Sequence, residues 1–205
     1  MEREKQKTGI LGGTFNPIHC GHLHLAKKAM DVAGLNQIVF IPSGVSYMKD
    51  QREILPAEVR IRMVKLAIQG HPEFALSTIE TDRDGNSYSH ETIQALQQQH
   101  PDTEFFFLTG ADTVFAIEEW KDPVSIFRSV IILAACRPGV SQQNLQTQIT
   151  YLKDKYQADI RLIMQDYVAI SSSSIREALK NGASIHGLVP QAVEDYILQH
   201  HFYTK

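Results

Sequence analysis

The chain has 205 residues, 43% of them hydrophobic and 21% charged, with a formal net charge of −3. That size and balance suit one globular domain with a substantial core, and the charge offers no global attraction to nucleic acid or an anionic membrane. Two cysteines, Cys20 and Cys136, are too few for a disulfide framework and match no zinc spacing. The polar N-terminus has no secretory h-region and no apolar run nears ~20 residues, so a cytoplasmic enzyme or binding protein is expected.

Short β-like runs alternate with longer helical ones. Ile10-Leu11 opens a first strand that ends at Gly12-Gly13. Residues 22–33 read as a helix with Leu23, Ala26, Met30 and Ala33 on one face and Gly34 as terminator. A second strand spans 37–41 and is stopped by Pro42-Ser43-Gly44. A helix follows over 56–69, with Pro56 in its first turn and Val59, Met63 and Leu66 on one face. The intervening 42–55 is the longest early irregular stretch and a candidate functional loop. A third strand covers 74–79, a third helix 89–99 and a fourth strand 104–108, running into Gly110-Ala111-Asp112. A short helix over 112–118, a strand over 130–135, an irregular stretch at 137–143 that is either a second candidate functional loop or a simple Pro-Gly turn, a helix over 145–156 and a strand over 160–164 come next. Ser174 with Glu177 forms a capping-box pattern for a helix over 174–179 that Gly182 can end. Residues 191–199 close the chain with Ala192, Val193, Tyr196 and Ile197 inward. Such alternation predicts an α/β protein, a doubly wound parallel sheet with helices on both faces.

In such a sheet ligands sit at the carboxyl ends of the strands where strand order reverses. If the first and fourth strands are neighbours, Gly12-Gly13-Thr14 and Thr109-Gly110-Ala111-Asp112 open onto one crevice. Gly12 and Gly13 allow close approach of backbone N–H groups to a phosphate, and Thr14 adds a hydroxyl. His19 and His22, three apart at a helix start, lie on one side, where imidazole donors and the helix N-terminus suit a polyphosphate. Gly21 keeps that helix start clear of a side chain. A metal site at His19, His22 and His24 is disfavoured, because apart from Cys20, inside the motif itself, no Cys, Asp or Glu stands close in sequence to complete the usual ligand set. Neither a Gly-x-Gly-x-x-Gly fingerprint nor a P-loop is present, which argues against hydride transfer and P-loop chemistry. The run Ser171-Ser172-Ser173-Ser174 either caps a helix or forms a second phosphate cradle clamped by Arg176; four serines exceed what a cap requires.

Together, Gly-Gly-Thr-Phe-Asn-Pro-Ile-His-x-Gly-His-Leu at 12–23 and Ile-Ser-Ser-Ser-x-Ile-Arg at 170–176 resemble the bacterial nicotinate-mononucleotide adenylyltransferases, within the wider His-x-Gly-His nucleotidyltransferase class. Pro42-Ser43-Gly44, Ser87-Tyr88-Ser89, Gly110-Ala111-Asp112, Trp120 and Arg137-Pro138-Gly139 match in order between them. The resemblance implies a Rossmann-like nucleotidyltransferase fold over residues 8–200, with a core at 8–165 and a small helical part at 166–200. It implies transfer of the adenylyl group of ATP to nicotinate mononucleotide in NAD biosynthesis, giving deamido-NAD and pyrophosphate, with Mg2+ held mainly by substrate phosphates.

By the same resemblance His19, His22 and Arg176 act on the ATP phosphates, with Ser172 and Ser173 beside Arg176, and Gly12, Gly13 and Thr14 line the phosphate path. Lys49 is the loop lysine facing phosphate, Asp112 lies near the nucleotide ribose, Tyr88 and Ser89 meet the nicotinate carboxylate, and Trp120 stacks on the pyridine ring. On residue type alone, Trp120 also reads as a core or rim side chain, Asp112 as a helix cap and Lys49 as a solvated charge. The chain departs from the pattern at Ser46-Tyr47-Met48-Lys49, where relatives carry Pro-Pro-His-Lys, and at Ser89, where many carry threonine. Alternatives are the same fold acting on nicotinamide mononucleotide or phosphopantetheine, and a non-catalytic nucleotide sensor. A tRNA-charging enzyme would need more domains than this length allows. No nucleic-acid or membrane partner is expected, and a homo-oligomer stays open.

Overall fold

A computed structural model describes residues 5–45, 54–136, 141–164 and 170–204. Strands β1 (Gln6–Gly13), β2 (Gln37–Pro42), β3 (Phe74–Leu76), β4 (Thr103–Gly110), β5 (Ile131–Cys136) and β6 (Ile160–Met164) form one sheet in the order β3-β2-β1-β4-β5-β6. Every pairing is parallel. The doubly wound α/β reading therefore stands, and the order reverses between β1 and β4, which pair from Gln6↔Thr103 to Ile10↔Phe107.

The helices are α1 (Cys20–Ala33), α2 (Ala57–Ile68), α3 (Ser89–Gln99), α4 (Ala111–Ala116), α5 (Pro123–Ser129), α6 (Gln142–Tyr156), α7 (Ser172–Lys180) and α8 (Gln191–Gln199). They divide the core in two. Leu11, Phe40, Phe106 and Leu108 face one layer with residues of α1, α2, α7 and α8; Ile10, Ile41, Phe105 and Phe107 face the other with α3 to α6. Adjacent strand residues thus point to opposite but equally apolar layers, which is why Phe105-Phe106-Phe107-Leu108 is a continuous apolar run rather than an alternating one.

Several expectations are corrected. Helix α1 begins at Cys20, because His19 takes the cap position in extended backbone. Its buried stripe is Gly21, Leu25, Ala26 and Ala29, with Leu23, Met30 and Ala33 at its margin. Gly34 does end it, in the left-handed region at φ 62°. Pro56 caps α2 from outside, and the inward stripe is Arg60, Met63, Val64 and Ala67, at helical spacing with a cation among apolar residues. Strand β3 stops at Leu76, and β4 runs on to Gly110. Helix α5 was not anticipated, although Asp122 accepting from Ser125 N–H and Pro123 at the first position form an ordinary helix start. In α7 the capping box is Ser171 with Ser174, not Ser174 with Glu177, so the helix starts two residues sooner. In α8 Val193, Glu194 and Ile197 are buried, while Ala192 is exposed.

Among the described residues no helix is long and apolar enough to cross a membrane.

Candidate active site

Gly12 and Gly13 end β1 opposite Ile41 and Pro42 of β2, and β4 delivers Thr109 and Gly110 on the other side. Between them lies a cleft of about 610 Å³ at the carboxyl ends of the strands, within the usual range for a small-ligand site. One wall carries Gly12, Gly13, Thr14 and His22; the other carries Thr109, Asp112, Trp120 and Lys121. Ser43, Glu80, Ser87, Ser89 and Thr92 close the far side.

The two histidines differ. His19 is 4% exposed, and its ring stacks on that of His22 at 3.6 Å between centroids. His22 is half-buried and lines the cleft. The His19 backbone N–H donates to His22 Nδ1 at 3.2 Å. A ring that accepts at Nδ1 carries its proton at Nε2, so His22 is a fixed-tautomer donor. Phe15, buried at φ 49°, sets its ring 5.0 Å from His22 in edge geometry and supports that orientation. A side chain at Gly12 would meet no protein atom within 4 Å, so packing leaves the backbone there open to a ligand.

The serine and arginine motif is placed differently from the histidines. Ser172 Oγ donates to Pro17 O at 2.8 Å, and Arg176 Nη1 donates to Asn16 O at 3.0 Å. The first turn of α7 thus abuts the loop that leads into α1. Ser172, Ser173 and Arg176 stand beside the phosphate loop rather than among the cleft-lining residues. Lys49, Met48 and Arg137-Pro138-Gly139 lie outside the described residues.

On the opposite side, Ser89 is the first residue of α3, and this eleven-residue helix turns its N-terminus to the cleft, a setting that favours a carboxylate. Tyr88 caps α3 through its backbone: its carbonyl accepts from Thr92 N–H, and its ring lies 6.0 Å from that of His90. Trp120 is half-buried, meets Phe107 edge-on at 6.1 Å and lines the cleft, so it is a rim residue of the second core that also faces the cleft. Asp112 is exposed in the first turn of α4, whose cap position is held by Gly110. It lines the cleft, so its place is not explained by capping.

Sequence reasoning missed a polar network beneath Ser89. Thr92 Oγ1 donates to Glu80 Oε1 at 3.0 Å and accepts from Arg83 Nη2 at 2.7 Å, while Arg83 Nη1 reaches Glu91 at 3.3 Å. The Gly44 backbone also hydrogen-bonds the Glu80 carboxyl, whose pKa is nonetheless raised because burial outweighs these contacts. A Cβ at Gly44 would collide with Glu80 O and Ser87 Oγ, so the Pro42-Ser43-Gly44 turn needs its glycine for close approach. The spacing of Glu80, Arg83 and Thr92 on a loop and a helix start has no periodic signal.

Among the described residues no three His, Cys, Asp or Glu side chains gather to hold a metal ion.

A sequence model of the cytidylyltransferase-like family matches residues 10–178. A protein of Lachnoclostridium phytofermentans named probable nicotinate-nucleotide adenylyltransferase is 39% identical over 97% of this chain and 99% of its own. A protein of the same name from Dehalococcoides mccartyi is 40% identical over 97% and 98%. In three dimensions the chain is similar to Plasmodium falciparum nicotinic acid mononucleotide adenylyltransferase complexed with NaAD, at TM-score 0.79 and 18% identity over 97% of both chains. The same protein complexed with APC gives 0.77 at 17%, again over 97% of both. These structures establish the fold, while the sequence relatives carry the narrower grouping: the chain belongs to the cytidylyltransferase-like family and, within it, to the nicotinate-nucleotide adenylyltransferases.

Proposed function

We propose that the protein transfers the adenylyl group of ATP to nicotinate mononucleotide, forming deamido-NAD and pyrophosphate. The observation that carries the chemistry is His22, which donates from Nε2 on a cleft lined by Gly12 and Gly13, with the backbone open at Gly12. A phosphate oxygen of the mononucleotide attacks the α-phosphorus of ATP as the bond to the β-phosphate oxygen breaks, and pyrophosphate leaves. The attacking phosphate is already ionised, so no general base is required. Catalysis rests on alignment and on neutralising the charge that grows on pyrophosphate. His22 supplies a donor there; His19 stacks behind it and fixes its ring. Arg176 and Ser172 hold the loop on the same side through Asn16 and Pro17, and Ser173 follows Ser172 at the α7 start.

The acceptor reading rests on the N-terminus of α3 at Ser89, whose first-turn amides suit the ring carboxylate, with Trp120 as the stacking surface and Asp112 near the ribose. Magnesium would be carried mainly by the substrate phosphates, with the Thr14 hydroxyl as a hard oxygen donor on the same wall; it would shield the charge of the phosphates. ATP and the mononucleotide are the partners this reading requires, and it places the enzyme in the cytoplasm.

The test is incubation with ATP, magnesium and, separately, nicotinate mononucleotide, nicotinamide mononucleotide and phosphopantetheine, with pyrophosphate and the adenylylated product measured. Turnover with the acid mononucleotide is expected to dominate. Preference for the amide keeps the mechanism and overturns the acceptor; no turnover with any acceptor overturns the enzymatic reading.

A further inference from the structure

The loop that carries the phosphate-binding motif is held by groups far from it in sequence. Arg60, on the inward face of α2 and only 4% exposed, donates Nη1 to Thr14 O and Nε to Leu55 O, both at 2.9 Å. Leu55 N–H donates to Asn16 Oδ1 at 3.2 Å. The same Oδ1 accepts the Tyr203 hydroxyl at 2.7 Å, across 187 residues of sequence. Asn16 is itself 5% exposed and stands three residues before His19.

The chain end is shaped for this contact. Phe202 N–H returns to Ile197 O, and His201 and Tyr203 both adopt left-handed backbone, at φ 52° and 65°. Non-glycine residues avoid that region unless their surroundings over-determine it. Two such residues within three are held by what the segment reaches. Burial pushes the Tyr203 phenol up despite Arg176 and Arg60 nearby, so it remains a protonated donor.

We propose that Tyr203, with Arg60, is a positioning residue for adenylyl transfer. Its hydroxyl fixes the Asn16 carboxamide and, through it, the turn that presents His19 and His22 to the ATP phosphates. The acceptor residues hang on α3 and on the end of β4, across the switch point, and do not depend on this clasp. The proposal rests on the adenylyl-transfer reading for its catalytic consequence.

The test is Tyr203→Phe, which removes one hydroxyl and keeps the ring. The expected result is a fall of about tenfold in kcat/KM for ATP, with the KM for nicotinate mononucleotide changed less than about twofold. In an Asn16→Ala background the same change should cost nothing further. A lowered melting temperature with unchanged kinetic constants, or a rise in the KM for nicotinate mononucleotide as large as the loss in kcat/KM for ATP, overturns the proposal. Amide hydrogen exchange decides the clasp independently of turnover. Faster exchange over residues 14–22 in Tyr203→Phe, with the sheet unchanged, supports it, and unchanged exchange there overturns it. Wild-type protein that turns over neither substrate would overturn the adenylyl-transfer reading, while the exchange comparison still decides the clasp.

Discussion

The two sides of the β1/β4 switch point are built by opposite strategies. The side proposed to hold phosphate is compact in sequence, from Gly12 to His22, yet it is fastened by Arg60, Ser172, Arg176 and Tyr203, which come from three distant parts of the chain. The acceptor side draws its lining from Ser43 to Lys121 but is fastened locally, by Glu80, Arg83 and Thr92 within thirteen positions of one another, counting from 80 to 92. A phosphate group presents the same oxygens in every nucleotide, and a rigid, globally anchored loop suits it. An acceptor ring differs between substrates, and a locally braced loop can change without disturbing the chemistry. The largest effect should therefore come from a donor on the phosphate side.

Replacing His22 by Ala is expected to lower kcat by about 10²-fold or more while the fold persists, because it removes a preorganised donor at a developing charge. Pyrophosphate release gives the rate and circular dichroism the fold. An unchanged rate would mean that His22 only stacks on His19 and caps α1.

Across the switch point, Trp120→Ala should act on the acceptor alone. Loss of a stacking surface corresponds to a rise of about tenfold in the KM for nicotinate mononucleotide, with the KM for ATP little changed. Trp120 also packs on Phe107, so a loss of stability with an unaltered KM would reduce it to a core rim.

How much of this was legible in the sequence follows from the same contrast. The sheet was readable because fully buried strands are continuous apolar runs, and the crevice because glycines end β1 and β4. The His19–His22 pair was readable because three residues bring both rings to one side of a helix start. Arg60 was not, since an arginine within an otherwise apolar stripe looks like a solvated charge until its partner, the Thr14 carbonyl, is in view. Tyr203 was invisible for the same reason: its acceptor is 187 residues away. In the sequence the serine run is open to a helix cap or a phosphate cradle; Ser171 and Ser174 form the cap, and the fold adds something no local pattern carries, that Ser172 and Arg176 engage the Pro17 and Asn16 carbonyls.

Gly44→Ala probes the local brace. Its Cβ would press on the Glu80 carbonyl and Ser87 hydroxyl, so a stability loss of about 1–3 kcal/mol is expected, together with a raised acceptor KM and an unchanged KM for ATP. Chemical denaturation and the two KM values separate these effects. A rise in the ATP constant instead would show that the two sides are mechanically one.

The smallest effect, and the most specific, concerns Glu80. Burial raises its carboxyl above the ordinary value of 4.5, offset in part by Thr92, Arg83 and the Gly44 backbone. A group that holds its proton more tightly folded than unfolded binds more protons in the native state within that window, so wild-type stability falls as pH rises from the ordinary value through the raised one. Above the raised value the loss is complete and constant. Glu80→Gln cannot ionise, and its carboxamide oxygen still accepts from Thr92. The variant should therefore gain on the wild type as pH climbs through the window and run parallel beyond it, with acceptor KM changed only slightly. Denaturant midpoints for both proteins, taken from about pH 4 to about pH 8, measure the difference. A difference that does not vary with pH would mean that Glu80 is well enough solvated, or well enough paired with Arg83, to titrate as in the unfolded chain. The brace on the acceptor side would then be held by the Arg83–Thr92 hydrogen bond rather than by the carboxyl.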